Sequence, residues 1–322
     1  MALKVPETMR AAAIDHFGPP KVLKLHVLPA PVPEANEVLI AVHNAGVGGW
    51  DADIRGGWWP FGRPRFPMVL GTDGSGTVAA VGSRVRRFRR GQKVYAYTWN
   101  SPKGGFYAEY VAVPAENVAL VPGIFDLRHA GAFGTTALTA LQGVDDALHL
   151  RKGQSVIIHG ASGGVGTLAV QFARLRGARV LASASGRDGV ALASRLGADM
   201  AVDGRREDIA AVAREFMPDG ADAVLAFAGG QALTRCLDAL RRGGRLAYPN
   251  GVEPAPRKRS GIKLIAYDAV PGVREFERLN RAAKAARLKV PIAAVFSLAE
   301  AAKAHQRAAA GHVLGKIVLR VR

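Results

Sequence analysis

A single cysteine, Cys236, stands in the 322 residues, so no internal disulfide can brace the chain. It falls in the helical spacing Leu233, Cys236, Leu237, Leu240 and reads as a small buried hydrophobe. No apolar run approaches the roughly 18 residues of a membrane span. The opening Met1-Ala-Leu-Lys-Val-Pro6 lacks an apolar signal core, so a cytoplasmic protein with no membrane partner is expected. Acidic residues are scarce: 26 Asp and Glu against 44 Lys and Arg give a net charge of +18. Basic runs occur at 84–90 and at Arg257-Lys258-Arg259. Such runs suit a polyanion, but aromatics make up only 7% of the chain and none are regularly interleaved there. A solvated surface is the simpler reading, and nucleic acid is not expected as a partner. With 49% hydrophobic and 22% charged residues, disorder is excluded, and the length suggests two domains. Tandem repeats and low-complexity linkers are absent.

What is present centres on Ser155-Val-Ile-Ile-His-Gly-Ala-Ser-Gly-Gly-Val-Gly166. A β-branched run ends in a glycine-dense turn, and Val165, Leu168, Ala169, Phe172 and Leu175 then recur at the spacing of one helix face. Strand, glycine turn and helix together set a pyrophosphate on a helix N-terminus, where free N–H groups and the dipole favour anions. Such a glycine pattern alone also fits a plain tight turn; the flanking elements favour a dinucleotide. Gly160, Ala161, Ser162, Gly163, Gly164, Val165 and Gly166 are the expected cradle.

The next strand, 178–183, speaks to which dinucleotide. An NAD site expects an acid at this strand end to accept from the ribose 2′-OH, and Ser183, Ala184 and Ser185 offer none. Ser183, Ser185 and Arg187 suit a 2′-phosphate instead, through charge-assisted bonds. Asp188 sits just beyond, where a helix N-terminus also favours an acid. The expected cofactor is NADPH.

Organisation changes near residue 125. Before it, short strand-like runs at 10–14, 37–42, 76–81, 93–97 and 106–113 alternate with glycine and proline turns, as in an antiparallel β-barrel-like domain. After it, strands at 155–159, 179–183, 200–203, 223–227 and 245–248 alternate with helices stopped at Gly177, Gly197 and Gly243, the rhythm of a doubly wound parallel sheet. A last helix carries Phe276, Leu279 and Ala283 on one face, and 316–319 is a closing strand. Phe227, Ala228, Tyr248 and Asn250 follow carboxyl ends of parallel strands and should line the crevice.

These segments resemble the medium-chain dehydrogenase/reductase superfamily, in its zinc-free quinone oxidoreductase branch. The resemblance runs nearly end to end, through Ala13–Gly18, Ala45-Gly46-Val47, Gly71–Val78, Gly91–Tyr95, Tyr107–Val111, Ala161–Gly166, Leu196–Asp199 and Gly315–Leu319. It implies an α/β fold: a Rossmann-type NADPH-binding domain (126–262) plus a GroES-like β-barrel domain (1–125), completed by a C-terminal return (263–322). It also implies a homodimer. Where alcohol dehydrogenases of this fold carry zinc ligands, the sequence has Gly48 and Gly71-Thr72-Asp73; with one cysteine and eight scattered histidines, no metal is expected.

Without a Lewis acid, the natural chemistry is hydride delivery from the nicotinamide to a quinone or an α,β-unsaturated carbonyl, with the protein contributing orientation and exclusion of water. The family's Asn–Pro–x–Asp segment corresponds to Gly48-Gly-Trp50-Asp51, which keeps the acid and loses the asparagine. The candidate substrate pocket is Gly48, Trp50, Asp51, Trp58, Trp59 and Tyr97. Thr139 aligns with a threonine beside the nicotinamide, Thr136 is its neighbour, and Lys316 follows a pattern that places a cation near the cofactor. No residue is assigned as proton donor. The alternative reading is an NADPH-binding protein with a nucleic-acid-binding or structural role and little turnover.

Overall fold

The computed structural model describes residues 5–99 and 102–322; the first four residues of the start read for a signal core lie outside them. Apolar alternation builds the first domain. The strands β1 (Thr8–Ile14), β2 (Lys24–Pro29), β3 (Glu37–Val47), β4 (Met68–Val69), β5 (Asp73–Val81), β6 (Lys93–Tyr97), β7 (Tyr110–Pro114) and β8 (Val118–Leu120) bury one continuous core around Ile14, Leu39, Ile40 and Phe106. A short helix, α1 (Gly49–Gly56), interrupts the strands directly after β3. Val85 and Phe88 anchor the first basic run in the core while its five arginines are exposed.

Two helices, α2 (Leu127–Gly131) and α3 (Gly134–Gln142), lead into the second domain. There β9 (Ser155–His159), α4 (Gly164–Leu175), β10 (Arg179–Ala184), α5 (Gly186–Arg195), β11 (Met200–Asp203), α6 (Ile209–Phe216), β12 (Ala221–Ala226), α7 (Gln231–Asp238), β13 (Leu240–Pro249) and β14 (Lys263–Tyr267) form a six-stranded parallel sheet. Its order is β11-β10-β9-β12-β13-β14, the doubly wound Rossmann arrangement. Helices α6 and α7 bury Ile209, Ala213, Leu233 and Cys236 on one face, so the lone cysteine is core, its thiol pushed up to about 12 by burial.

Three expectations need correction. The sheet does not stop at 262: β14 pairs in parallel with β13, and α8 (Val273–Ala285) packs Phe276 and Leu279 into the core shared with α3 and α4. Nor is α8 the last helix, because β15 (Ile292–Ser297), α9 (Ala301–Ala309) and β16 (Lys316–Arg320) follow. These three form the true return: β16 pairs with β15 on one side and antiparallel to β3 on the other, completing the barrel sheet. Finally, Gly243 is no helix stop. Ala239 caps α7, and Gly243 sits four residues on, inside β13, with a φ of +79°.

Candidate active site between the two domains

The site lies where the carboxyl ends of the parallel strands meet the barrel. Gly160 takes a left-handed turn (φ +79°) off β9, and its N–H and that of Ala161 both donate to the Ser183 carbonyl at 3.0 Å. Gly166 is the close approach: a Cβ there would stand 2.1 Å from the Gly160 carbonyl oxygen and 2.7 Å from the Ala161 Cα. Ala161 and Ser162 are buried under the turn; Gly163 caps α4, Gly164 and Val165 open it, and all three are half-buried, with Val165 packed against the core. The first N–H groups of a helix have no intrahelical acceptor, so this turn fits the pyrophosphate of a nicotinamide dinucleotide. The C-terminal return closes its other side. Gly315 bridges Gly163 and donates its N–H to the Ser162 carbonyl at 2.9 Å.

At the end of β10 the expected ribose-side set divides. Ser183 is buried, with its hydroxyl 3.1 Å from His159 Nδ1, and is not presented to a ligand. Ser185 is half-buried, and Arg187 is exposed on the first turn of α5. His312, which the sequence gave no reason to single out, arrives from the α9–β16 connection. Its Nδ1 lies 3.0 Å from Ser185 Oγ and its Nε2 2.9 Å from Asp188 Oδ2. Asp188 is thus occupied by His312, and among the described residues Arg187 has no carboxylate in ion-pair range.

The strand-end residues reach the crevice to different degrees. Phe227 and Ala228 abut Gly160. Tyr248 is half-buried, and Asn250 is exposed with its amide donated to Asp268 at 2.8 Å. Thr136 brings its methyl beside Gly164, but its hydroxyl donates to the Ala132 carbonyl at 2.7 Å, and Thr139 likewise donates to Thr135 at 2.8 Å. It is Thr135 whose hydroxyl is buried without a partner.

On the barrel side, α1 carries Trp50 and Asp51, with Gly48 at its start and Trp58 and Trp59 just past its end. Trp50, Trp58 and Trp99 meet as an aromatic cluster, with ring centroids 4.4 Å apart for Trp50–Trp99 and 5.6 Å for Trp50–Trp58. Trp50 spans the cleft: its ring edge is 3.4 Å from where a Cβ of Gly251, past β13, would stand. Trp59 packs on Phe61 and lines a cavity of about 940 Å³ with Ile54, Thr72, Thr98 and the Trp99 of that cluster. Tyr97 supports this wall without opening onto it, since its ring is buried and its hydroxyl donates to the Ala269 carbonyl.

Beneath Gly48 lies a buried polar chain that the sequence did not reveal. Asp51 is fully buried, accepts the Gly48 N–H at 2.8 Å, and is pushed up to about 6 by burial, against the pull of that N–H and of Lys316. Asp73 accepts the Thr135 N–H at 3.0 Å; one oxygen of each carboxylate is buried with no partner. Tyr107 lies beside Asp51, its hydroxyl 3.1 Å from His305 Nε2, and Arg55 reaches His305 Nδ1 at 2.6 Å. Arginine can only donate, so His305 accepts at Nδ1 and carries its proton at Nε2. Burial, then the Arg55 charge, pull His305 down to about 3. Among the described residues no three or more His, Cys, Asp or Glu side chains cluster as metal ligands.

Comparison with known proteins agrees with this architecture. Residues 34–123 match the family model of the alcohol dehydrogenase GroES-like domain, and residues 196–319 that of the zinc-binding dehydrogenases. The chain is 32% identical to the quinone oxidoreductase of Lama guanicoe over 325 residues, covering 97% of each. A solved NAD-dependent alcohol dehydrogenase superposes with a TM-score of 0.90 at 30% identity, covering 98% of this chain and all of that one. A mycobacterial protein solved in complex with NADPH gives 0.87 at 27%, covering 97% of this chain and all of that one.

Proposed function

The chain belongs to the medium-chain dehydrogenase/reductase superfamily, in its quinone oxidoreductase branch, and from that premise we propose a metal-independent, NADPH-dependent reductase of quinones or α,β-unsaturated carbonyls. It is an oxidoreductase acting on a small molecule. The observation that carries the finer reading is the aromatic cluster of Trp50, Trp58 and Trp99 at the cleft beside Gly48, a wall suited to a flat conjugated acceptor.

A bound dihydronicotinamide supplies the hydride. The protein's part is to hold the two reactants in register and dry. The glycine turn and the first turn of α4 hold the diphosphate; the tryptophans orient the acceptor and exclude water. NADPH over NADH is supported by Arg187, which has no competing carboxylate because His312 occupies Asp188. Metal independence is supported by the donor set: Gly48 and Thr72 stand where the family's zinc enzymes would need ligands, and cysteine is absent from the site.

The test is NADPH oxidation followed by absorbance with a panel of quinones, enones, simple aldehydes and alcohols. Turnover confined to quinones or enones is expected. Turnover only with unconjugated alcohols or aldehydes would refute the proposal.

A further inference from the structure

Lys316 opens β16, and the antiparallel register of β16 with β3 (Ile317 against Val47, Val318 against Gly46) sets it opposite Gly48. Its stem passes the glycine turn: Cδ is 3.4 Å from where a Cβ of Gly164 would lie, and Cε 3.0 Å from that of Gly46. The ammonium then ends 3.3 Å from the position of a Gly48 Cβ, a site where this chain has no side chain. Lys316 is only 7% exposed, yet among the described residues no carboxylate lies within 4.0 Å of Nζ and no acceptor receives a hydrogen bond from it. Asp51 and Asp73 flank it, each with one oxygen bound by a backbone N–H. A buried ammonium with unspent donors is costly unless a ligand completes it. The stem has already carried it past the phosphate turn toward the barrel side, where the acceptor cleft opens.

We propose that Lys316 is a catalytic residue, an electrophile whose ammonium hydrogen-bonds the acceptor's carbonyl oxygen in the hollow left by Gly48. This rests on the reading of the site as a reductase of conjugated carbonyls. As the acceptor gains a hydride, two electrons and one hydrogen, negative charge collects on that oxygen and Lys316 stabilises it. The resulting monoanion of the hydroquinone or enolate then takes one proton from solvent, and Lys316 contributes hydrogen bonds rather than the proton. Asp51 and Asp73 are positioning residues whose carboxylates flank the lysine without bonding its ammonium. Aimed, desolvated donors of this kind typically contribute on the order of 10²–10³ in kcat.

The test uses the intact protein with oxidised cofactor and 4-nitrophenol, whose phenolate is coloured, as a mimic of the developing oxyanion. Bound to the parent protein, the phenol should ionise about one pH unit lower than in solution. That shift should vanish in Lys316→Met and persist in Lys316→Arg. Filling the hollow with Gly48→Val should abolish it too, with Lys316 still present. Lys316→Met should lower kcat about 100-fold while changing the NADPH dissociation constant, read by tryptophan fluorescence, by less than about threefold. A bound phenol titrating alike in parent and Lys316→Met, or a cofactor affinity that falls as far as kcat, would overturn the assignment. A phenol shift without quinone or enone turnover would leave the oxyanion site standing and refute the proposed function instead.

Discussion

Buried titratable groups dominate at the scale of single residues. Burial holds His305 near 3 and His159 near 4, both below the ordinary 6.5. Between those values and 6.5 the unfolded chain binds protons that the fold refuses, so stability is lost as pH falls through that window. Asp51 acts oppositely: raised from 3.8 to about 6, it favours the fold as pH falls from 6 towards 4. Each histidine costs about 3 kcal/mol by pH 4 and Asp51 returns a similar amount, leaving a net loss of about 3 kcal/mol. His305→Gln should therefore flatten the fall in urea midpoint between pH 6.5 and 4, and Asp51→Asn should steepen it. Parallel curves for parent and both variants would contradict the assignment. At the cofactor end, Arg187→Ala should weaken NADPH at least tenfold, about 1.4 kcal/mol, and leave NADH nearly unchanged; equal losses in calorimetric titration would remove Arg187 from the 2′-phosphate site. The role proposed for Arg187 is written in its neighbours in sequence. The chain from Arg55 through His305 and Tyr107 to Asp51 is not, because it joins residues up to 250 positions apart that only the closed barrel brings together.

At the scale of elements, the glycine turn and α4 are legible because local pattern and tertiary role coincide. The β-branched run must be a buried strand, and only glycine tolerates the contact at Gly166. Gly166→Ala should force the turn apart, since overpacking of this kind costs roughly 1–3 kcal/mol. The variant should melt at a lower temperature and lose heat of binding with NADPH; retention of parent affinity would refute the cradle. Two elements escape the sequence for physical reasons. The helix α1 is bounded by glycines, and its buried face is Asp51, Ile54 and Arg55 rather than an apolar stripe. The strand β14, at the sheet edge, has a burial pattern too mixed to alternate, and its place is decided by pairing with β13. Position alone points Ser183 at the ribose, but strand geometry turns its hydroxyl to His159.

At the scale of the whole molecule, the chain crosses between domains twice, and the second crossing delivers His312, Gly315 and Lys316 to the site. The barrel keeps its own core but lends Tyr95 and Tyr97 to that of the second domain, where Tyr95 packs edge-on against Phe133 and Phe276. The outer edge of β14 has no strand partner among the described residues, and open edges are templates for association. Light scattering should therefore report a dimer at micromolar concentration; a monomer there would contradict edge pairing. We propose that this cleft passes hydride to a conjugated carbonyl using its own side chains and no metal. The most direct test is quinone-dependent NADPH oxidation by protein dialysed against a strong chelator, with metal content measured on the same sample. Undiminished turnover with no stoichiometric metal is expected. Activity that vanishes on chelation and returns with added zinc would contradict it.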